Sequence, residues 1–441
     1  METSSEIAAK ETDSPKGISF REAFFYWLKL GFISFGGPTG QIAMMHKELV
    51  ERRKWISDNH FLQALNFCML LPGPEAQQLA VYIGWLLHKT RGGIVAGTLF
   101  VLPSVFILLG LSWLYVAMGT VPAVAALLYG LKPAVVAIVA EAVLRIARKA
   151  LKNWFFAIVA VASFVAIYIL SVPFPIIIFT AALLGFIAKQ VAPRLFGTAG
   201  TTKEDADTLI STLAAQMRGT GWRPALSTLL LWVTVWAAPV VAVALWKGKS
   251  IFTDIGRLFS TAAMVTFGGA YSVLAYVGQE AVDKYGWLQP EQMMDALALA
   301  ETTPGPLIMV NQFVGYVAAY QNPGDLSPSV AGIVGGLLTT WVTFAPSFLM
   351  IFLFAPYIEV LRKNALLSTA LAAVTAAVVG VVLNLGVSFT HHALLPESGG
   401  FDWYALIASI ITFIGLQYRH WPMIPVIIGS AAAGYAWRMV F

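Results

Sequence analysis

The chain has 441 residues, of which 58% are hydrophobic and only 12% are charged, and its mean hydropathy is +0.74. Soluble domains carry about 25% charged residues, so this composition excludes a soluble protein and predicts an all-α integral membrane protein. The basic residues behind the net charge of +5 lie mostly in short loops between apolar segments, which indicates membrane topology rather than nucleic-acid binding.

The N-terminus is polar and contains no apolar signal-peptide core, so we expect a disordered tail at 1–20. The first apolar segment, from Ala23 to Met45, contains Phe35-Gly36-Gly37-Pro38-Thr39-Gly40. Four of these six residues are Gly or Pro, which is too many for a continuous spanning helix. The pattern predicts a broken or re-entrant element.

The second apolar segment, from Phe61 to Leu87, is interrupted by Leu71-Pro72-Gly73-Pro74-Glu75. Two prolines around a glycine cannot continue a helix, whereas Pro is well tolerated in a first turn. The sequence therefore predicts one helix that ends near Leu71 and another that begins near Pro74. Such a break is tolerated at membrane depth where it is buried in protein or lines an aqueous cavity. The new helix would present its free N–H groups there, which suits an anion.

The remaining segments complete a first membrane repeat at 21–190: Gly93–Met118, Pro122–Ile146, Trp154–Leu170 and Pro173–Ala188. A polar linker at 191–224 and an extra transmembrane helix at 225–250 follow. The second membrane repeat, at 251–441, is predicted to contain Leu258–Gln279, Met293–Tyr320, Val330–Tyr357, Leu366–Phe389, Trp403–Gln417 and Pro422–Val440.

Three landmarks of the first repeat recur in the second at one offset of 232 residues. They are Phe35-Gly36-Gly37 with Phe267-Gly268-Gly269, Trp55 with Trp287, and Pro72-Gly73-Pro74 with Pro304-Gly305-Pro306. A constant offset indicates an internal duplication. Paired broken segments in a duplicated membrane protein are typical of secondary transporters.

Loop charges predict that the two repeats have opposite orientations in the membrane. Lys and Arg mark cytoplasmic loops, and they cluster at Lys47–Lys54 and Arg145–Lys152. The corresponding loops of the second repeat, Ala281–Leu288 and His391–Gly400, contain a single Lys or Arg residue, Lys284. We therefore expect the first two loops in the cytoplasm and the other two outside, which makes the duplication an inverted-topology repeat.

Charged groups inside apolar segments are costly, so each one is a functional candidate. Glu75 follows the first break, where it either caps the new helix or titrates and gates beside an anion path. Glu301 precedes the second break, where the helix dipole opposes a negative charge. Lys132 could neutralise a bound dianion, pair with Glu75, Glu141 or Glu301, or snorkel to an interface. For Glu141, pairing with Arg145 four residues later is the favoured interpretation.

Polar uncharged residues near the breaks could hydrogen-bond an oxyanion or act as interhelical glue: Thr39, Gln41, Asn66, Gln77, Gln78, Thr302, Thr303, Asn311 and Gln312. We find no catalytic or metal-binding pattern, and the single cysteine, Cys68, excludes an internal disulfide. The sequence contains no Gly-rich phosphate loop ending in Lys-Ser or Lys-Thr, so nothing indicates ATP. We expect no cofactor.

At these motifs the chain resembles the chromate ion transporter family. Phe35-Gly36-Gly37-Pro38 with Gln41, Leu71-Pro72-Gly73-Pro74 and Tyr82-Ile83-Gly84-Trp85 are similar to its first half. Thr266-Phe267-Gly268-Gly269 and Glu301-Thr302-Thr303-Pro304-Gly305-Pro306 are similar to its second half. The resemblance covers nearly the whole chain apart from the tail and the linker. It implies chromate extrusion across the bacterial inner membrane by a multi-pass protein, with sulfate as the related oxyanion.

The expected partners are the oxyanion and the lipid bilayer, without nucleic acid, and the candidate assembly is a homodimer. The expected substrate site comprises Gly36, Gly37, Gln41, Pro72, Gly73, Pro74, Glu75, Lys132, Gly268, Gly269, Glu301, Thr303, Pro304, Gly305 and Pro306. The rival interpretation is a passive anion channel or pore. The duplication with inverted charge bias favours alternating access over a pore, and proton coupling stays open.

Overall fold

The computed structural model describes residues 18–35, 37–119, 121–196, 222–357, 365–396 and 399–440. Gly36, most of the expected tail and most of the expected linker lie outside these residues. Within them the chain is helical and contains no strand, which confirms the all-α class.

The first repeat contains α1 (Phe20–Ile33), α2 (Gly37–His46), α3 (Asp58–Cys68), α4 (Glu75–Met118), α5 (Pro122–Ala150), α6 (Trp154–Tyr168) and α7 (Phe174–Val191). Ser19 and Ser57 precede α1 and α3, and each side chain accepts a hydrogen bond from the backbone N–H three residues later, as an N-cap does. Helix α4 is bent at His88 and Lys89, whose backbone is not helical. The bend separates α4a (75–87) from α4b (90–118).

An extra helix, α8 (Trp222–Lys247), precedes the second repeat. That repeat contains α9 (Ile251–Val265), α10 (Ala270–Gly278), α11 (Pro290–Thr302), α12 (Val310–Gln321), α13 (Pro328–Phe354), α14 (Ala365–Leu394), α15 (Trp403–Arg419) and α16 (Met423–Val440). Helix α8 packs on α9 and α13, where the Trp341 indole N–H donates to the Val235 carbonyl at 3.0 Å.

The breaks predicted from glycine and proline are confirmed. The chain leaves the helical path between Cys68 and Glu75, and again between Thr302 and a short 3₁₀ turn at Leu307–Met309 that leads into α12. The Gly-Gly motif of the second repeat separates α9 from α10, and in the first repeat α1 ends at Ile33 and α2 begins at Gly37. Each apolar segment that carries a motif is therefore two short helices.

The predicted loop at Lys47–Lys54 is wrong in its local structure. Residues Lys47–Arg52 continue α2 as a π-helical turn, and Gln279–Lys284 continue α10 in the same way, 232 residues later. The turn persists because Leu49 is buried and Glu48 binds Arg53 at 2.9 Å. Likewise, α5 extends to Ala150, so Arg145 and Lys149 lie on a helix rather than in a loop.

The two repeats exchange their packing partners. Helix α5 of the first repeat packs against α15 and α16, and the equivalent α14 packs against α6 and α7. Small residues allow this close approach. A Cβ on Gly130 of α5 would overlap the Gly434 backbone of α16, and one on Gly185 of α7 would be 2.6 Å from the Cβ of Ala373 on α14. Neither repeat could bury these helices alone.

Seven of the described helices are long and apolar enough to cross a membrane: α4, α5, α7, α8, α13, α14 and α16. Helix α6 is apolar but has only 15 residues. The chain is a multi-pass membrane protein. The orientation of each repeat in the bilayer stays a prediction.

Candidate functional site

Each Pro-Gly-Pro break is held by the opposite repeat. The Gly73 N–H donates to the Thr266 carbonyl at 2.9 Å, and the Gly305 N–H donates to the Ser34 carbonyl at 2.8 Å. Ser34 and Thr266 are the residues that follow α1 and α9. The two donors are 232 residues apart, and so are the two acceptors. The two breaks and the two Gly-Gly elements therefore form one connected centre.

Glycine is required at both breaks for two reasons. Gly73 and Gly305 have φ values of +126° and +100°, a region that side chains disfavour. A Cβ on Gly305 would overlap the Ser104 hydroxyl, and one on Gly73 would be 2.7 Å from the Gln78 amide nitrogen. The space beside each glycine is thus already filled by polar protein groups.

Side chains satisfy the carbonyls of the breaks. The Gln78 amide donates to the Pro72 carbonyl at 2.7 Å, the Gln41 amide donates to the Gly305 carbonyl, and the Ser104 hydroxyl donates to the Pro304 carbonyl. These carbonyl oxygens, which would repel an anion, are therefore engaged, while the first N–H groups of α4 have no intrahelical acceptor. At the second break, the N–H groups of Met309 and Val310 already donate within the 3₁₀ turn that leads into α12.

Two buried amides beside the breaks have no partner among the described residues. Gln77 lies in the first turn of α4 and Asn311 in the first turn of α12, and at most 1% of either residue is exposed. Neither the oxygen nor the nitrogen of either amide makes a hydrogen bond. An unsatisfied buried polar group costs about 1–3 kcal/mol, so both amides indicate a place for a polar ligand.

The hydroxyls of Thr343 and Ser347 have the same character. They lie four residues apart on α13 and are 1% exposed, and neither has a hydrogen-bond partner in the described part of the chain. Ser347 reaches within 3.0 Å of the Cβ position on Gly73. Thr339, one turn earlier, instead donates to the Gly335 carbonyl four residues back, so the lack of a partner is particular to the end of α13 that adjoins the break.

Glu301 is buried at the end of α11 and accepts a hydrogen bond from the Tyr271 hydroxyl at 2.6 Å. Tyr271 lies two residues after Gly269. The guanidinium of Arg145 lies 6.0 Å from the centre of the Tyr271 ring. Arg145 also pairs with Glu141 at 3.4 Å, as the spacing on α5 predicted. The positions equivalent to Tyr271 and Glu301 in the first repeat are Thr39 and Met69. This hydrogen-bonded pair therefore exists in the second repeat only.

Glu75 begins α4 and is half-buried. The cation that acts on it electrostatically is Lys149 of α5, eight residues beyond Glu141 on the same face. Its counterpart in the second repeat is the apolar Leu307. Each break therefore carries one acid, after the motif in the first repeat and before it in the second.

The structure places Lys132 beside an acid that the sequence analysis did not single out. Lys132 is within electrostatic range of Asp295 on α11, and the Tyr115 hydroxyl donates to Asp295 at 2.9 Å. Asp295 is 5% exposed, and its second oxygen has no partner among the described residues. No ion pair of the described residues joins Lys132 to Asp295, nor to Glu75, Glu141 or Glu301, which were its predicted partners.

The remaining predicted residues divide by position. Gly37 and Gly269 occupy equivalent positions with φ values of +67° and +102°, and Gly268 lies against Thr375 of α14. Thr303 turns inward and donates to the Ala300 carbonyl. Gly36 lies outside the described residues. Among the residues that the structure describes, no group of three or more His, Cys, Asp and Glu side chains is arranged to hold a metal ion.

Comparisons with known proteins agree with the motifs. The profile of a family described as "Chromate transporter" matches residues 21–186 and 253–435, one match in each repeat. A protein named chromate transport protein from Cupriavidus metallidurans is 27% identical over 97% of this chain and 95% of its own length. Another from Pseudomonas aeruginosa is 32% identical over 85% of this chain and 83% of its own. No solved structure matches the chain. The two profile matches confirm the duplication, and the chain belongs to the chromate transporter family.

Proposed function

We propose that this protein is a secondary transporter that exports chromate across the bacterial inner membrane, with its oxyanion site at the paired Pro-Gly-Pro breaks. One observation carries the proposal. The buried amides of Gln77 and Asn311 have no protein partner, and each lies in the first turn of the helix that follows a break. The names of the relatives from Cupriavidus metallidurans and Pseudomonas aeruginosa support chromate as the substrate.

The chemistry of the breaks suits a tetrahedral dianion. Helix N-termini combine free N–H groups with the positive end of the dipole, which makes them binding places for anions. The amide N–H groups of Gln77 and Asn311 and the hydroxyls of Thr343 and Ser347 add donors that can meet oxygens in several directions. Arg145 and Lys149 on α5 add positive charge on the side of Glu301 and Glu75.

The direction follows from the charge of the substrate. Chromate is a divalent anion at neutral pH, and the cell interior is negative. Each elementary charge that crosses is worth about 2.3 kcal/mol per 100 mV. Two negative charges that leave the cell therefore gain roughly 4.6 kcal/mol per 100 mV, so export needs no ATP. Sulfate has the same shape and charge and is the second substrate in the proposal.

The test is flux into inverted membrane vesicles or proteoliposomes that contain the purified protein. Chromate, sulfate, molybdate and phosphate are compared under an imposed potential and, separately, under an imposed pH gradient. The proposal predicts saturable chromate uptake that rises with the potential, with sulfate as a competitor and phosphate as a poor one. Unitary conductance steps in a patch, with flux that does not saturate, would instead establish the rival anion channel.

A further inference from the structure

A basic cavity lies beside α1, and none of the residues of the two breaks lines it. It has a volume of about 420 Å³ and is lined by Arg21, Phe25, Tyr26, Lys29 and Arg53, with Glu22 at its edge. Arg21, Phe25 and Lys29 follow one another at intervals of four residues, so they share one face of the helix. The cavity thus combines three cations with an exposed aromatic ring.

The positive charge of the cavity is not balanced by its own acids. Arg53 binds Glu22 at 3.0 Å and Glu48 at 2.9 Å, which accounts for both acids. In the part of the chain that the structure describes, no ion pair engages Arg21 or Lys29. Both side chains are exposed and are therefore available to an anion.

A second observation also indicates a ligand. Tyr26 lines the cavity and is 5% exposed, yet its hydroxyl has no hydrogen-bond partner among the described residues. The Arg53 guanidinium covers the face of the same ring at 5.3 Å from its centre. A buried hydroxyl that lacks a partner and lies beside a cation can donate to an anionic oxygen.

The second repeat packs its extra helix on α9, the counterpart of α1. Helix α8 packs on α9, where Val240 lies against Gly256. The first repeat has no added helix of this kind on α1 among the described residues, and the end of α1 is more exposed than the end of α9. Ile33 is 45% exposed, whereas its counterpart Val265 is 6% exposed. The exposed apolar side chains Phe25, Phe32 and Ile33 continue along α1 from the cavity.

We propose that this cavity binds the phosphate headgroup of an anionic phospholipid, whose acyl chains lie along the exposed apolar face of α1. Basic pockets at the membrane surface are suited to such headgroups. The adjoining apolar face selects a lipid over free phosphate, because a free anion would leave Phe25 and Phe32 uncovered. A second copy that met this face across a two-fold axis would bring like cations together. The inference is independent of the transported substrate.

The experiment measures lipid retention by the full-length protein. Purified protein is reconstituted in phosphatidylcholine with and without phosphatidylglycerol, and bound lipid is quantified by native mass spectrometry. The wild type should retain phosphatidylglycerol in preference to phosphatidylcholine. The double variant Arg21→Gln/Lys29→Gln should reduce that preference by about thirtyfold, and Tyr26→Phe should reduce it by a smaller factor without a change of charge.

The matched control is Lys47→Gln/Lys54→Gln, which removes the same charge from exposed residues that do not line the cavity. It should retain the lipid as the wild type does. An equal loss in the control would show general surface attraction and overturn the proposal. Inorganic phosphate that displaced the lipid at equal concentration would overturn it as well, because the site would then be one for a free anion.

Discussion

The N–H of Gly305 donates to the carbonyl of Ser34 at 2.8 Å, and this bond ties the second break to the end of the first helix of the other repeat. The mirror bond from Gly73 to Thr266 does the same at 2.9 Å. Because each of these bonds joins a break to the opposite repeat, a movement of one repeat against the other would strain or break both hydrogen bonds. This arrangement fits a site that rearranges during transport.

Gly305→Ala should abolish chromate transport. The positive φ disfavours a side chain, and the new Cβ would overlap the Ser104 hydroxyl. Gly73→Ala should be milder, because its Cβ would meet the flexible end of Gln78. Vesicle flux and the amount of inserted protein are measured together. Gly110→Ala is the matched control, since nothing lies within 4 Å of its Cβ position. Wild-type flux in Gly305→Ala would refute the role of the break.

Glu301→Gln should remove any dependence of chromate flux on the pH gradient while potential-driven flux remains. Glu301 is buried and bound to Tyr271 alone among the hydrogen bonds of the described residues, so it is the acid best placed to carry a proton. Glu75→Gln should weaken transport without changing that dependence. The measurement imposes the pH gradient and the potential independently. If wild-type flux follows the potential alone, Glu301 is a structural acid.

Lys132→Met should destabilise the protein more than Asp295→Asn does. Removal of Lys132 takes away the nearby positive charge from a buried carboxylate that already has one unpartnered oxygen, which costs more than neutralising that carboxylate. The double variant should recover part of the loss, which a double-mutant cycle on thermal unfolding in detergent detects. Strictly additive losses would show that the two side chains do not interact.

The sequence predicts the breaks better than it predicts what surrounds them. Pro72-Gly73-Pro74 dictates a broken helix through backbone chemistry alone, so the boundaries near Leu71 and Pro74 follow from a short stretch of sequence. The contact of Ser104 with Gly305 depends on which helices of the two repeats meet, which no local pattern specifies. A signal existed nevertheless, because Pro103-Ser104 recurs as Pro346-Ser347 in the corresponding helix of the second repeat.

Asp295 could have been found by the same reasoning that selected Glu301, since both are acids within one apolar segment. Lys132 was recognised as a cation inside an apolar segment, but its partner depends on how α5 packs on α11. The asymmetry between Glu301 and Met69 can be read from the sequence once the offset is known. The hydrogen bond from Tyr271 to Glu301 cannot be read from the sequence, because it joins two different helices, α10 and α11.

Single-cysteine labelling tests the predicted orientation of the repeats. In a Cys68→Ser background, cysteines placed at Lys54 and at Lys284 should react with an impermeant reagent from opposite sides of the membrane, because the loop charges place Lys47–Lys54 in the cytoplasm and Ala281–Leu288 outside. Both positions are exposed. Lys284 ends its π-helical turn, and Lys54 lies two residues after the end of the equivalent turn. Labelling of both from one side would contradict an inverted repeat.

The partnerless amides give the most direct test of the oxyanion site. Gln77→Leu and Asn311→Leu each remove an amide that bonds to no described residue, so neither should lower the thermal stability. A hydrogen bond to a charged group is worth about 1.5–3 kcal/mol, which corresponds to a rise in the KM for chromate of roughly 10- to 100-fold. Gln41→Leu is the contrast, because its amide is bonded to the Gly305 carbonyl and its loss should lower stability.

The decisive measurement is therefore the KM for chromate uptake into inverted vesicles, determined beside the thermal unfolding midpoint for the wild type, Gln77→Leu, Asn311→Leu and Gln41→Leu. The account predicts a raised KM at unchanged stability for Gln77→Leu and Asn311→Leu. An unchanged KM in both variants, with saturable transport intact, would contradict an oxyanion site at the breaks.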